Sequence, residues 1–276
     1  PYTINPNFSH GRGQLIKKIE WNEAGTKKVN EIINSYQYIF KSGSASDKVY
    51  GITYDHYPNS PYQTYFYGKY SLLTDVEVVV LSDTIITYDL NDQNKFSITS
   101  SDYFFESTYH KLLTRSRSTA ADGTIITRKI KYPLDFGSIP GNSDNYLKRI
   151  KDLQDNFRNG TPIEQVTLQQ KPGEPEKVVG AALVKFSDFG VAGKVLPEQS
   201  LSLKIDQGVT NFSYSGQTLE GPTYVLSFDS RYRVDNTFLA FDNYNLPMTS
   251  VSRNRVLTST HWGFGKTVPI VQAVNT

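Results

Sequence analysis

The segment Gln14-Leu-Ile-Lys-Lys-Ile-Glu-Trp-Asn-Glu-Ala-Gly-Thr26 has a counterpart in Leu112-Leu-Thr-Arg-Ser-Arg-Ser-Thr-Ala-Ala-Asp-Gly-Thr124. Placing Gly25 on Gly123 gives an offset of 98, and Leu15 then meets Leu113, Lys17 meets Arg115, Thr26 meets Thr124 and Ile32 meets Ile130. Each copy reads as a strand, a turn and a returning strand, with Gly supplying the positive φ that such a turn needs. A third copy is expected within Phe238–Trp262, where Asn245 takes the place of Gly. Asn also enters the left-handed region. Asn254 is placed to close the turn that follows. Because one hairpin cannot bury its own apolar face, stacked neighbours must cover one another.

The rest of the chain agrees with sheet. Tyr, Thr, Val, Ile and Phe recur in alternation, and such side chains suit a pleated, half-buried surface. Val76-Glu-Val-Val-Val-Leu81 reads as a well-covered strand and Thr84–Asp89 as another, with a tight turn or bulge at Ser82-Asp83. Lys27–Ser35 fits a helix by spacing, but its surroundings argue for a strand. One helix stands out: Leu147, Ile150, Leu153 and Phe157 share a face of Tyr146–Arg158. Ser143 or Asn142 is expected to cap it, and Asn159-Gly160 to end it. Lys171-Pro-Gly-Glu-Pro-Glu176 reads as a hairpin tip. The expected fold is mainly β: an antiparallel, hairpin-built curved sheet or partial shell with one amphipathic helix near 145–158. Residues 1–276 are read as a single repeat-type unit.

Composition narrows the function. The chain has 276 residues, 29 Lys+Arg against 27 Asp+Glu, and no Cys. A net charge of +2 gives no electrostatic footprint for nucleic acid or an anionic membrane. Without Cys there are no disulfides, thiolate zinc sites or cysteine nucleophiles. No apolar run is long enough to span a membrane as a helix. The first residue is Pro1 and no signal-peptide pattern follows, so the chain is read as a mature product or as a piece of a larger polypeptide.

At Phe241-Asp-Asn-Tyr-Asn245-Leu-Pro-Met-Thr-Ser-Val-Ser-Arg-Asn-Arg-Val-Leu-Thr-Ser-Thr-His-Trp262-Gly263-Phe264 the sequence resembles the YD repeat of RHS-type proteins, in the version found in large surface proteins of Bacteroidota. Trp262-Gly-Phe-Gly-Lys-Thr-Val-Pro-Ile270 is similar to the Trp-Gly-Tyr segment and Pro-Ile that follow there. Phe241 stands where the repeat has Tyr, and Asn245 where it has Gly. The opening Arg12–Tyr36, Tyr132–Phe136 and Pro162–Gln165 also fit the family's layout. The resemblance implies repeats that wind into a continuous curved sheet, a scaffold and not a catalyst. Its turn positions here are Gly25, Gly123, Asp242, Asn245, Trp262 and Gly263.

No catalytic constellation competes with this. His10, His56, His110 and His261 lie far apart without metal-ligand spacing, and no Gly-x-Ser-x-Gly elbow is present. Asp89-Leu-Asn-Asp-Gln-Asn94 collects hard oxygen donors but lacks the EF-hand Gly and Glu, and reads as a polar turn. Gly263-Phe-Gly-Lys266 lacks the first Gly of a phosphate loop. Glu77, Asp83, Asp229 and Asp242 offer carboxylates, with nothing in their spacing to select a pair. The densest aromatic stretch, Tyr54–Tyr70, offers Tyr54, Tyr57, Tyr62, Tyr65 and Tyr67 as a ligand or partner surface.

The sequence therefore predicts a non-enzymatic scaffold or partner-binding segment of an exported, cell-surface, extracellular or periplasmic protein. It would use no cofactor or metal. Its partners would be other proteins or the remainder of its own parent chain, and no nucleic acid. A carbohydrate-binding module using the Tyr54–Tyr67 residues is the alternative, and a glycan-active hydrolase the third reading.

Overall fold

The computed structural model describes residues 14–40, 48–56, 66–74, 76–191 and 193–275. The chain is mainly antiparallel β with one α-helix. It divides into two compact units, Pro1–Asp102 and Tyr103–Thr276.

The first unit contains β1 (Lys17–Trp21), β2 (Lys28–Phe40), β3 (Lys48–His56), β4 (Phe66–Thr74), β5 (Val76–Tyr88) and β6 (Phe96–Phe104). Strands pair in the order β1-β2-β5-β6, while β3 and β4 form a separate hairpin from Lys48↔Thr74 to His56↔Phe66. Lys28–Ser35 is strand, since β2 pairs with β1 from Lys28 to Ile33 and with β5 from Asn30 to Phe40. The two expected strands either side of Ser82-Asp83 are one 13-residue strand, β5. A bulge interrupts it there, because Ser35 faces Ser82 while Tyr36 faces Val80, leaving Leu81 as the extra residue.

One carboxylate holds this sheet's central face. Ile19, Glu31, Ile86 and Ile98 form a row across all four strands. Glu31 is buried; Oε1 receives Lys17 Nζ at 2.6 Å, and Oε2 receives Lys28 Nζ at 2.9 Å and the Tyr88 hydroxyl at 3.2 Å. Hydrogen bonds from the two ammonium groups pull its carboxyl from an ordinary 4.5 down to about 2. Among the described residues of this sheet, Ile33, Ile85, Phe96 and Ile98 are exposed, and Ile19, Ile32 and Ile86 half-buried.

The second unit contains β7 (Arg115–Thr119), β8 (Ile125–Lys131), a 3₁₀ turn (Pro133–Phe136), α1 (Asn145–Asp155), β9 (Glu164–Gln170), β10 (Lys177–Ser187), β11 (Leu196–Leu203), β12 (Gly216–Glu220), β13 (Thr223–Ser227), β14 (Tyr232–Phe241), β15 (Pro247–Ser252), β16 (Leu257–Gly263) and β17 (Val268–Asn275). Its sheet runs β7-β8-β9-β10-β11-β14-β15-β16-β17, and β12-β13 is a small separate hairpin. The tip Lys171–Glu176 joins β9 to β10.

The core sits beneath the helix. Leu147, Ile150 and Leu153 are buried against Ile163, Val166, Leu183, Phe186 and Leu226. Asp144, not Ser143, is the N-cap: its Oδ1 accepts from Leu147 N at 2.8 Å and its Oδ2 from Leu226 N at 3.0 Å. The cap thus fastens the helix to β13 as well as closing its first turn. Ser143 is buried and turns its hydroxyl to Pro140 O. The helix also ends earlier than its apolar spacing implies. Phe157 has φ 55 and is 88% exposed, so it lies beyond the helix and outside the core. Arg158 N reaches Leu153 O at 2.9 Å and Phe157 N reaches Gln154 O at 3.1 Å, the paired bonds of a Schellman stop with Phe where Gly is usual.

Three measurements check this account. Glu31 contributes stability that is present above pH 4.5 and lost as pH falls through about 2. Amide exchange of β2 is therefore expected to accelerate over that window, and Glu31→Gln to flatten the dependence. Leu153→Ala is expected to destabilise the second unit by about 2–5 kcal/mol in urea. Phe157→Gly, relieving a left-handed residue with no packing to lose, is expected to stabilise it by about 0.5–1 kcal/mol.

Candidate functional site

The repeat turns share one hydrogen-bond pattern. Gly25 N bonds Asn22 O, Gly123 N bonds Ala120 O, and Asn245 N bonds Asp242 O, at 2.8, 2.9 and 3.1 Å. All three residues have positive φ, at 65°, 79° and 65°. Each is the left-handed residue that follows a type I turn and returns the chain into a hairpin. A side-chain oxygen inside each loop binds the backbone: Asn22 Oδ1 accepts from Thr26 N and Lys27 N, Asp122 Oδ1 from Thr124 N, and Asp242 Oδ1 from Tyr244 N and Leu246 N. The first loop is one residue longer, since Asn22 N bonds Lys27 O whereas Ala120 N bonds Thr124 O. A fourth turn repeats the pattern at Ser252–Val256, but Arg255 (φ 62), not Asn254, takes the left-handed place.

The last two hairpins lock together. Lys266 Nζ stands 3.6 Å from Asp242 Oδ2, joining the β16–β17 turn to the β14–β15 turn. Trp262 Nε1 donates to Pro247 O at 2.8 Å, tying β16 back across β15. A Cβ at Gly263 would lie 2.6 Å from Ile270 Cγ2, so the close approach of β16 and β17 requires glycine there.

Beyond this lock lies β17, Val268-Pro-Ile-Val-Gln-Ala-Val-Asn275. Among the described residues it pairs with β16 alone, and all eight residues are exposed. Val271 and Val274 are 57% and 56% exposed. Near the turn the strand is blunted, by Pro269 and by a bulge at Ile270; from Val271 to Asn275 its register is regular. It carries no charge. The terminal strand of the first unit is built differently: β1 carries Lys17, Lys18 and Glu20, with Lys17 on Glu31 and Lys18 on Glu20. Charge on an edge strand discourages further pairing, and β17 lacks it.

The second unit also buries polar groups. His110 Nε2 faces both Asp135 oxygens at 3.1 Å, while its Nδ1 accepts from Leu112 N at 3.1 Å. These partners assign the ring proton to Nε2 and leave no free nitrogen to act as a base. Ser107 Oγ donates to Asp135 Oδ1 at 3.0 Å, so the carboxylate stands between the hydroxyl and the imidazole, the wrong order for a nucleophilic triad. Glu164 is buried; Oε2 accepts from Ser215 N and Oγ, and Oε1 from the Tyr232 hydroxyl, each at 2.9 Å. Burial, then the charge of Glu164, drives the Tyr232 hydroxyl far above its ordinary range. Sequence inspection missed this cluster, because its members come from β8, β9, β14 and the connections between.

Other sequence candidates are dispersed. Asp89 Oδ1 accepts from Asn91 N and Asp92 N within the β5–β6 turn. Asp229 is buried and held by Arg231 at 2.7 Å and by Ser213 N at 3.0 Å; the guanidinium lowers its carboxyl well below the carboxylate range. No group of three or more His, Asp or Glu is disposed to hold a metal among the described residues. Tyr54 lies on β3 and Tyr67 on β4, opposite Gly68 and Asp55 respectively. Tyr57, Tyr62 and Tyr65 lie outside the described residues.

No family model matches the chain, and no curated protein does. Among solved structures, it is similar to a chain in the crystal structure of TcdB2-TccC3-Cdc42, at 8% identity and a TM-score of 0.46, over 94% of this chain and 15% of that one. A chain in the crystal structure of TcdB2-TccC3-TEV is similar at 8% identity and a TM-score of 0.37, over 91% and 14%. This chain spans about one seventh of their length, and a likeness at these scores carries no functional argument.

Turn chemistry is testable by paired substitution. Gly123→Ala puts a Cβ 3.1 Å from Pro172 Cγ on a left-handed residue and is expected to cost about 1–2 kcal/mol in chemical denaturation. Asn245→Gly, at the equivalent place, is expected to be neutral or to stabilise by at most about 1 kcal/mol.

Proposed function

We propose that this chain is a non-enzymatic scaffold segment that works by strand addition, with β17 receiving an antiparallel β-strand from another protein or from the remainder of its own parent chain. The carrying observation is the edge itself: a regular, uncharged, fully exposed stretch from Val271 to Asn275. The ion-paired edge of β1 is the internal contrast. An unprotected strand of this kind templates another, with main-chain bonds giving affinity and alternate side chains giving selectivity. The partner strand would be uncharged and rich in Thr and Ser, like β16, because a buried charge opposite Val271 or Val274 would have no counter-ion. The polar clusters support the same reading, since Asp135, His110 and Glu164 spend their hydrogen-bonding capacity on the fold. Together with the resemblance of Phe241–Ile270 to YD/RHS-type repeats, this supports reading the chain as a segment of an exported, cell-surface repeat protein.

A fluorescent peptide of the β16 sequence, Leu257–Gly263, is the probe. The intact chain is expected to raise its anisotropy saturably, and Val271→Lys/Ala273→Lys to abolish the rise while leaving the melting temperature in place. No binding to the wild type, or equal binding to the variant, would falsify the proposal. Pairing of two copies of the chain through β17 would also overturn it, by substituting self-association for a partner.

A further inference from the structure

Away from the edge, the face of the second unit's sheet that forms the core continues sideways into a charged cleft. On β9, Glu164 and Val166 face inward, and their neighbours on β10 are Leu183 and Ala181. On the other side Val166 faces Lys129 and Glu164 faces Lys131, and Lys129 in turn faces Arg115 on β7. Directly opposed residues share a face. The rows are therefore Arg115–Lys129–Val166–Ala181 and Lys131–Glu164–Leu183. Three cations occupy inward positions of a face that is hydrophobic core two strands away. They line a cleft of about 550 Å³, with Glu106, Asp135 and Tyr214 on its walls.

The acids of this cleft have already found their donors. Arg115 binds Glu106 through both Nε and Nη2. Asp135 is occupied by Ser107, His110 and Tyr132 N, and Glu164 by Ser215 and Tyr232. The two lysines are under-used. An ammonium has three donors. Lys131 gives one to Ser215 O and lies over the Phe136 ring at 4.4 Å; Lys129 gives one to the Tyr214 hydroxyl at 3.3 Å and lies 5.4 Å from the centre of that ring, leaving the ring's opposite face for a ligand. Neither is ion-paired with a carboxylate among the described residues. Burial lowers the Lys131 ammonium's pKa although the charges of Glu164 and Asp135 oppose the shift, so a ligand that brings further negative charge would favour the charged form.

We infer that this cleft is a binding site for a small ring-bearing organic anion, of the acidic-sugar class. Lys129 and Lys131 hold its carboxylate, and its ring lies against Tyr214. The two lysines stand two residues apart on one strand face, about 7 Å between side-chain origins, which suits one anionic group shared between them. The cleft's volume lies within the range of small-ligand pockets. Tyr214 is 43% exposed and packs edge-on to Phe212 at 5.1 Å, which fixes the ring as a wall.

Titration of the ¹⁵N-labelled full chain with glucuronate tests this, with glucose and inorganic sulfate as further arms. Saturable shifts are expected at the amides of Lys129, Lys131 and Tyr214, with glucose at least tenfold weaker and sulfate competing. Lys129→Gln, at a partly exposed position, is expected to weaken glucuronate at least fivefold without moving the melting temperature. Tyr214→Leu is expected to weaken glucuronate but not sulfate. Equal binding of glucose and glucuronate, failure of sulfate to compete, or wild-type affinity in Lys129→Gln overturns the inference. None of these readouts depends on β17, so the site stands or falls apart from strand addition.

Discussion

Leu147, Ile150 and Leu153 closing over β10 form the contact on which the second unit depends. A sheet has two faces, and hairpins side by side protect backbone groups but leave both faces to water. One short helix supplies the missing cover, and it must be held at a fixed angle to do so. Asp144 holds it at one end, bonding the helix and β13 at once. Gln154 holds the other, donating to Pro133 O and Gly137 O. Where the helix stops, the core stops, and inward positions become polar.

The parts of the fold legible in the sequence are those fixed by local chemistry. A left-handed residue after a type I turn leaves a mark that survives without context, so Gly25, Gly123 and Asn245 were found by comparing the chain with itself. The helix was legible because its apolar stripe recurs at the helical period. Phe157 extends that stripe and misleads, because a Schellman stop can be formed by a residue that gives no warning of it. Ser82-Asp83 looked like a break, yet a bulge lets one strand pass through a polar pair. The cleft left no trace, since Lys131, Glu164 and Tyr232 meet only through strand pairing and burial. Lysines alternating along β8 read as solvent-facing in one dimension and inward-facing in three.

The same rule explains why the buried carboxylates Glu164 and Asp229 are so fully bonded. Burying Glu164 without Ser215 and Tyr232, or Asp229 without Arg231, would cost more than a helix of this size returns. These networks therefore mark where sheet, loop and helix had to be brought to one place. Their oxygen atoms are taken up by the fold, while Lys129 and Lys131 keep unused donors.

The uneven distribution of apolar burial also sets how the molecule comes apart. Among the described residues, every side chain of the core cluster belongs to the second unit. Heat-capacity increments on denaturation scale with the apolar area newly hydrated, so this cluster gives the second unit a sharp endotherm. The midpoint of that endotherm therefore reports the second unit, to which β17, Lys129 and Lys131 all belong.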